Sequence, residues 1–283
     1  MTRELRNRIN QAIRYAVLIL VGFFMVYPLL WMIFATFKSN SEIFSSISLL
    51  PKEWKFEAYT NLGKTIGGQI NLGKAMLNTY TFVIPKVIFT VVSSVITAYA
   101  FGRFQFAGKK LMFVVMMSTL FLPQVVLNAP QYVLFNQLGW MDSYLPIVVP
   151  SLFAVDTYFV FMLIQFLRGI PGELDEAAEI DGCNAIKRLF YVIVPMLKPA
   201  IVSCALFQFM WSSNDFMGPL IYVNKVARYP ASIFVKMSMD ADAGVAWNSI
   251  LAVSLIVILP SLVVFFLAQD TFVEGITAGG VKG

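Results

Sequence analysis

Five acids fall within nine residues, Glu173, Asp175, Glu176, Glu179 and Asp181, around the pair Ala177–Ala178 and just ahead of Gly182. Carboxylates at that density could do acid–base work or hold a metal, but both tasks usually recruit histidine, and the chain has none. What remains open to them is charge pairing. A short helix with two adjacent alanines lets another protein approach closely, and its acidic flank can pair with arginines there. The competing reading is a helix lying at the headgroup boundary, which so many acids disfavour on anionic lipid.

Two further groups have polar chemistry in apolar surroundings. Gln208, Trp211, Asn214 and Asp215 combine an aromatic face with hydrogen-bonding groups, as do Asn128 and Gln131 with their neighbours, and such sets suit a sugar. Trp211 reads equally as an interfacial anchor. Lys86 and Asp156 are the charges lying well inside apolar segments. Counted from Met76 and Ile147 at about 1.5 Å per residue, they stand at similar depths. An isolated charge there costs at least ~2.5–3.5 kcal/mol, so each needs a partner or a wet cavity. The equal depth predicts an ion pair between them; the alternatives are a free Lys86 meeting an acidic substrate, or other polar partners for each.

The elements that position these residues follow from composition. Hydrophobic residues make up 58% of the 283 and charged residues only 13%, with mean hydropathy +0.74, so the bilayer is the solvent for much of the surface. The net charge of +5 is dispersed through loops as flanking charge, which argues against nucleic acid as a partner. The two cysteines, Cys183 and Cys204, are too few for a disulfide framework. A basic N-terminus precedes a long apolar run without a short cleavable core, which predicts a retained first helix.

Six segments are apolar and long enough to be spans: Tyr15–Phe37, Met76–Gly102, Leu111–Leu127, Ile147–Leu167, Leu197–Ser212 and Trp247–Ala268. The predicted fold is an all-α membrane protein of six transmembrane helices with both termini cytoplasmic. That orientation places Lys and Arg at roughly twofold higher density inside than outside. The fifth segment is short, and its outer end, through Phe216 and Pro219, reads as broken or re-entrant. The predicted organisation is residues 1–75 (N-terminus, first helix and the long outer loop Lys38–Lys74) and a five-helix core, 76–283, with the acidic loop at 168–196.

Within that loop Pro171 suits the start of a helix and Glu173, Asp175 and Glu176 sit near its positive end. Leu174, Ala177, Ala178 and Asp181 form one stripe, Gly182 stops the helix in the left-handed conformation, and Asn184 caps a second. Between the fifth and sixth segments, Val223–Gly244 carries Lys225, Arg228, Lys236, Asp240 and Asp242, a mixed-sign set suited to a protein contact. No G-x4-G-K-[ST] motif is present, so no nucleotide site is expected here.

The run Glu176-Ala177-Ala178-x3-Gly182-x9-Val192-x-Val194-Pro195 resembles the EAA-x3-G-x9-I-x-L-P motif of ABC importer permeases, with Val in place of Ile and Leu. Phe121-LPQVVLNAPQYVLFNQLGWMDSY resembles the third-span exit of maltose-type sugar permeases. Trp211-SSNDFMGPLI resembles their W-S-x-N-D-F-x-x-P-L-I, and Gly275-ITAGGVKG their tail. Pro51-KEWKFEAY departs from the outer-loop pattern at Ala58, where Asn is frequent.

The resemblance implies a type I ABC importer fold in a bacterial inner membrane. It implies a second homologous permease, an ABC ATPase dimer carrying ATP and Mg, an extracytoplasmic solute-binding protein and a sugar or oligosaccharide substrate. Glu173, Leu174, Glu176, Ala177, Ala178, Asp181 and Gly182 would form the coupling helix, and the tail would reach the ATPase. No cofactor is expected on this chain and membrane lipid is its surroundings. The rival transport reading is an importer for phosphate or a polyamine. An intramembrane enzyme would need a nucleophile–base set that the spans lack. A secondary transporter would need no ATPase.

Overall fold

The computed structural model describes residues 3–60, 62, 63, 65, 66, 68–240 and 246–280. Among them the structure is helical, with a single bridge between Ile66 and Ile70 as its extended pairing. The helices fall into two units, Met1–Leu72 with Val235–Ile258, and Gly73–Phe234 with Leu259–Gly283.

In the first unit α1 (Arg3–Ala35) includes Asn7–Ala35, long and apolar enough to cross a membrane, and its most apolar stretch buries nothing against this chain. The following segment, expected as a loop, is folded. Ser39 caps α2 (Asn40–Ser45) by accepting from the Glu42 N–H at 3.3 Å. The Phe37 ring packs on Trp54, Phe56 and Tyr59 with centroids 5.3–5.4 Å apart, the last of these in α3 (Glu57–Thr60). Lys38 is fully buried, and its ammonium donates to the Ser48 carbonyl.

The second unit is organised on α4 (Leu72–Arg103), continuous through Pro85. A sharp break separates α5 (Lys109–Thr119) from α6 (Gln124–Gln137), which diverge by 102°. The sequence reading had one continuous third span, Leu111–Leu127. It fails at Pro123: the ring disfavours helical backbone at Leu122, and Leu120, Phe121 and Leu122 tighten into bonds to the carbonyls three residues back.

The expected fourth span, Ile147–Leu167, is also not one α-helix. It consists of α7 (Leu145–Val148), a 3₁₀ stretch Val149–Phe153, a left-handed Ala154 and α8 (Thr157–Arg168). Irregular backbone at membrane depth persists only where protein satisfies it, and α4 does so here. Ser93 donates to the Ser151 carbonyl at 2.7 Å, and Thr90 donates to the Asp156 carboxylate at 2.8 Å.

Beyond α8 lie α9 (Glu173–Ile180), α10 (Ala185–Arg188), a π-helical stretch Leu189–Ile193 and α11 (Val194–Met196). The run Ala185–Met196 then bends by 78° into α12 (Lys198–Ser213), a bend the sequence reading lacked. The predicted break at the outer end of the fifth segment is present at Asn214–Phe216, before α13 (Met217–Tyr222). A 3₁₀ turn, Val226–Arg228, leads to α14 (Ala231–Asp240), and α15 (Trp247–Gly280) follows. Among the described residues four candidates are long and apolar enough to cross a membrane, and up to six if each bent pair is one span.

Two apolar clusters hold the second unit. Tyr99, Leu163, Leu167, Ile193 and Leu197 pack at the end that carries α9. Phe82, Phe135, Ile147 and Tyr222 pack at the other. Gly102 leaves room for Leu167 of α8, since a Cβ there would lie 2.3 Å from Leu167 Cδ2.

Candidate functional site

The acidic segment is helical over Glu173–Ile180, with three acids in its first turn. Gly182 takes φ +81°, as its place after the helix predicted, and its N–H reaches the Glu179 carbonyl at 3.0 Å. Asn184 accepts from the Lys187 N–H at 2.9 Å and so starts α10, also as predicted.

The stripe divides differently from the expectation. Glu173, Leu174, Glu176, Ala177 and Asp181 are exposed, with Ile180 the most exposed large apolar residue of the segment at 87%. Ala178 is instead buried against its own chain. Asp175 is also turned inward, 2.8 Å from Arg103 Nε at the last residue of α4, and is not free to meet a partner's arginine. Arg103 also donates from Nη2 to the Ile170 carbonyl at 2.8 Å. Tyr99, one turn earlier on α4, donates to the Ala185 carbonyl at 3.3 Å. The end of α4 therefore grips the acidic helix on its entering and leaving strands of chain.

Gln208, Asn214, Asp215 and Gln131 have local partners. Gln208 is buried and donates to Ser212 Oγ at 3.2 Å. Asn214 donates back to the Met210 carbonyl at 2.8 Å, and Asp215 accepts from the Gly218 N–H in the first turn of α13 at 3.0 Å. Gln131 accepts from Gln124 at 3.3 Å and from the Tyr222 hydroxyl at 3.5 Å, while Asn128 is half-buried on α6. Trp211 is half-exposed and packs on Tyr158 and Phe159, with centroids 5.3 and 5.1 Å away. It offers an aromatic face while belonging to a ring cluster between α8 and α12.

Of the three readings of Lys86 and Asp156, the ion pair does not form, and Asp156 has another polar partner instead. The depth argument assumed an unbroken fourth helix, but Asp156 sits in the non-helical break before Thr157 and takes the Thr90 hydroxyl instead. Lys86 lies one turn from Thr90 on α4 and is half-buried, in no ion pair among the described residues.

Of the mixed-sign loop, Asp242 lies outside the described residues, as does the end of the tail, Val281 to Gly283. Lys225 and Arg228 both face Asp142, at 2.9 and 3.7 Å from its Oδ2. Asp142 also accepts from the backbone N–H groups of Asn224 and Lys225 through Oδ1, and the Tyr144 hydroxyl donates to the Arg228 carbonyl. The following turn is bound to the start of α4: Asn78 donates to the carbonyls of Ala227 and Tyr229, and Thr79 accepts from the Ala231 N–H. Lys236 and Asp240 are exposed and pair across one turn of α14 at 2.7 Å.

The sequence profile described as "Binding-protein-dependent transport system inner membrane component" matches residues 91–273, the stretch that carries the acidic helix, its Arg103 anchor and the last four apolar segments. The chain belongs to this family. The diacetylchitobiose uptake system permease protein of Streptomyces coelicolor is 28% identical over 95% of this chain and 88% of its own length. The galactooligosaccharides transport system permease protein of Bacillus subtilis is 28% identical, over 99% and 98%. The trehalose/maltose transport system permease protein of Thermococcus litoralis is 27% identical, over 94% of each. A solved bacterial ABC transporter involved in import of the acidic polysaccharide alginate contains a chain of the same fold. It has TM-score 0.78 over 96% of this chain and 99% of that one, at 18% identity.

Within this family member the residues that sequence reasoning missed are mostly anchors: Arg103, Thr90 and Asp142. Each is a lone polar residue at an element's end or on a buried helix face, with its partner 66 to 86 positions away. Asp142 yields a direct prediction. The Lys225 side chain, then the backbone N–H groups of Lys225 and Asn224, hold its carboxyl below the ordinary value, against an opposing contribution from burial. A lowered folded pKa stabilises above the unfolded value of about 3.9 and is lost as pH falls through the folded one. Asp142→Asn should therefore lower the melting temperature by about 2–4 °C at neutral pH, the scale of one exposed charge cluster. The gap from wild type should close only below about pH 4, and a gap already closing at pH 6 would exclude Asp142 as its source.

Proposed function

We propose that the chain is one permease subunit of an ATP-driven importer for sugars or oligosaccharides. It forms the translocation path with a second, homologous permease. The two bent pairs each count as one span, giving six, with both termini cytoplasmic in a bacterial inner membrane. A binding protein delivers the sugar outside; an ATPase dimer, holding ATP and Mg, docks inside on α9.

The observation that carries this reading is the form of α9. It presents Glu173, Leu174, Glu176, Ala177 and Asp181 outward while Asp175 and Ala178 fix it to its own chain. A helix that is exposed on one side and clamped to a long span on the other suits a mechanical coupling. ATP closing the partner dimer favours one arrangement of the coupling helices, and the sugar-loaded binding protein favours the same one, so each ligand biases a shared two-state element. Relatives in oligosaccharide systems, aligned over nearly the whole chain, support a sugar over phosphate or a polyamine.

Trp211 with Tyr158 offers the aromatic face for a sugar ring; Gln208, Asn128 and Gln131 offer hydrogen bonds, and Asn214 and Asp215 shape the broken segment beside them. Lys86 remains available to a carboxylate or hydroxyl. On the outer side Lys225, Arg228, Lys236 and Asp240 are the proposed contacts with the binding protein, the first two already set in position by Asp142.

The test is reconstitution in nanodiscs with the co-expressed ATPase, second permease and binding protein. Diacetylchitobiose, maltose, galactooligosaccharides, phosphate and spermidine are then compared for stimulation of ATP hydrolysis. Stimulation by a saccharide is expected; stimulation by phosphate or spermidine alone would replace the sugar reading, and no copurifying ATPase would remove the importer reading.

A further inference from the structure

A cleft of about 810 Å³ opens where the end of α4, the start of α5 and the end of α8 meet. Phe101, Phe106, Leu111 and Phe113 supply its apolar lining beside Gln105, and its rim carries Lys109, Lys110 and Arg168 without an acid. The cations come from two different spans, Lys109 and Lys110 opening α5 and Arg168 closing α8, so they meet at one membrane face. Lys109 is held by the Phe104 carbonyl at 2.7 Å, whereas Lys110 and Arg168 are exposed and form no ion pair among the described residues.

We infer that this cleft binds one anionic phospholipid, its phosphate between Lys110 and Arg168 and an acyl chain along Phe101, Leu111 and Phe113. The charge fits a phosphodiester, and the wall fits hydrocarbon. A soluble anion would use only the rim, and an acidic protein surface would leave the aromatic wall uncovered. Basic residues at span ends attract anionic headgroups, and a phosphate between these two would take charge-assisted hydrogen bonds from both. The site lies on residues that the importer reading does not use, so the two readings stand or fall separately.

The test uses the full chain in nanodiscs of phosphatidylcholine with one-fifth phosphatidylglycerol, and native mass spectrometry of the lipids that remain bound. Wild type should retain phosphatidylglycerol preferentially, and the double variant Lys110→Gln/Arg168→Gln should lose that preference by on the order of tenfold. Lys198→Gln, which removes a cation outside the cleft, and the charge-keeping Lys110→Arg/Arg168→Lys should both keep it. Melting in pure phosphatidylcholine discs separates misfolding from lost binding; if the Gln variant melts early, the charge-keeping pair and a competition arm decide. In that arm millimolar inorganic phosphate should not displace the lipid. Displacement by phosphate would reassign the rim to a soluble anion and overturn the proposal. Equal retention in wild type and the Gln variant, or equal loss in Lys198→Gln, would overturn it as well.

Discussion

Replacing Ala177 with Trp is expected to leave the chain inserted and as stable as wild type, yet to cut stimulated ATP hydrolysis by about 30-fold or more, the scale of an interface hot spot. Ala177 is exposed on α9, between Leu174 and Asp181 on the outward side, so an indole there meets no atom of its own chain's core. It does occupy the space that the proposed docking of an ATPase on α9 would fill. Ala178 provides the contrast. It is buried, and its carbonyl accepts from the Cys183 N–H at 2.9 Å, so Trp at that position overpacks the loop. Overpacking typically costs about 1–3 kcal/mol, visible as a lower melting temperature with or without an ATPase. The pair of variants thus separates docking from folding. Normal stimulated hydrolysis in Ala177→Trp would take α9 out of the interface.

Much of α9 was legible in sequence because its determinants are local. Acids open it, at Glu173 behind a Gly172 cap and two residues later than Pro171 suggested; a glycine at positive φ closes it, and Asn184 restarts the chain, each acting within a few residues of itself. The long apolar helices Arg3–Ala35 and Leu72–Arg103 were legible for the same reason, since twenty apolar residues leave the backbone no alternative in lipid.

What was not legible depends on distant partners. Ile147–Leu167 is apolar enough to read as one helix, and nothing local announces the left-handed Ala154. The break is stable because Thr90 and Ser93, some sixty positions earlier, satisfy it. Once the helix is broken, a depth counted at constant rise has no meaning, and the expected partner of Lys86 disappears with it. Ala177 and Ala178 look equivalent in the motif; only the packing of α9 on its own chain turns one outward and the other inward. Lys225 and Arg228 read as free charges because Asp142, lying before α7, carried no sequence signal of its own.

Arg103→Met is expected to produce the other large effect, a chain that folds but transmits poorly. Arg103 ends α4, where a cation is favoured by the helix dipole, and Asp175 lies in the first turn of α9, where an anion is favoured. The side chains are 16% and 11% exposed, so most of their hydration is gone and the pair must supply the replacement. Removing one partner of a buried pair costs about 3–5 kcal/mol, and the small residual exposure puts this one near the lower figure. Asp175→Asn should cost less, because the amide keeps the size of the carboxylate and a carbonyl dipole facing the guanidinium. Replacing both, as Arg103→Met with Asp175→Leu, should recover most of the stability, since no charge is then left buried. Function should not recover with it. An apolar contact lets α9 slide on α4, whereas the guanidinium fixes Asp175 and the Ile170 carbonyl together. The double variant is therefore expected to melt near wild type while transporting less sugar per ATP hydrolysed. Melting temperatures of the four proteins close the stability cycle, and transport-to-hydrolysis ratios in proteoliposomes close the functional one. Additive losses of stability in the double variant would show that the two side chains do not interact, and a wild-type ratio would show that their contact fixes α9 without carrying the signal.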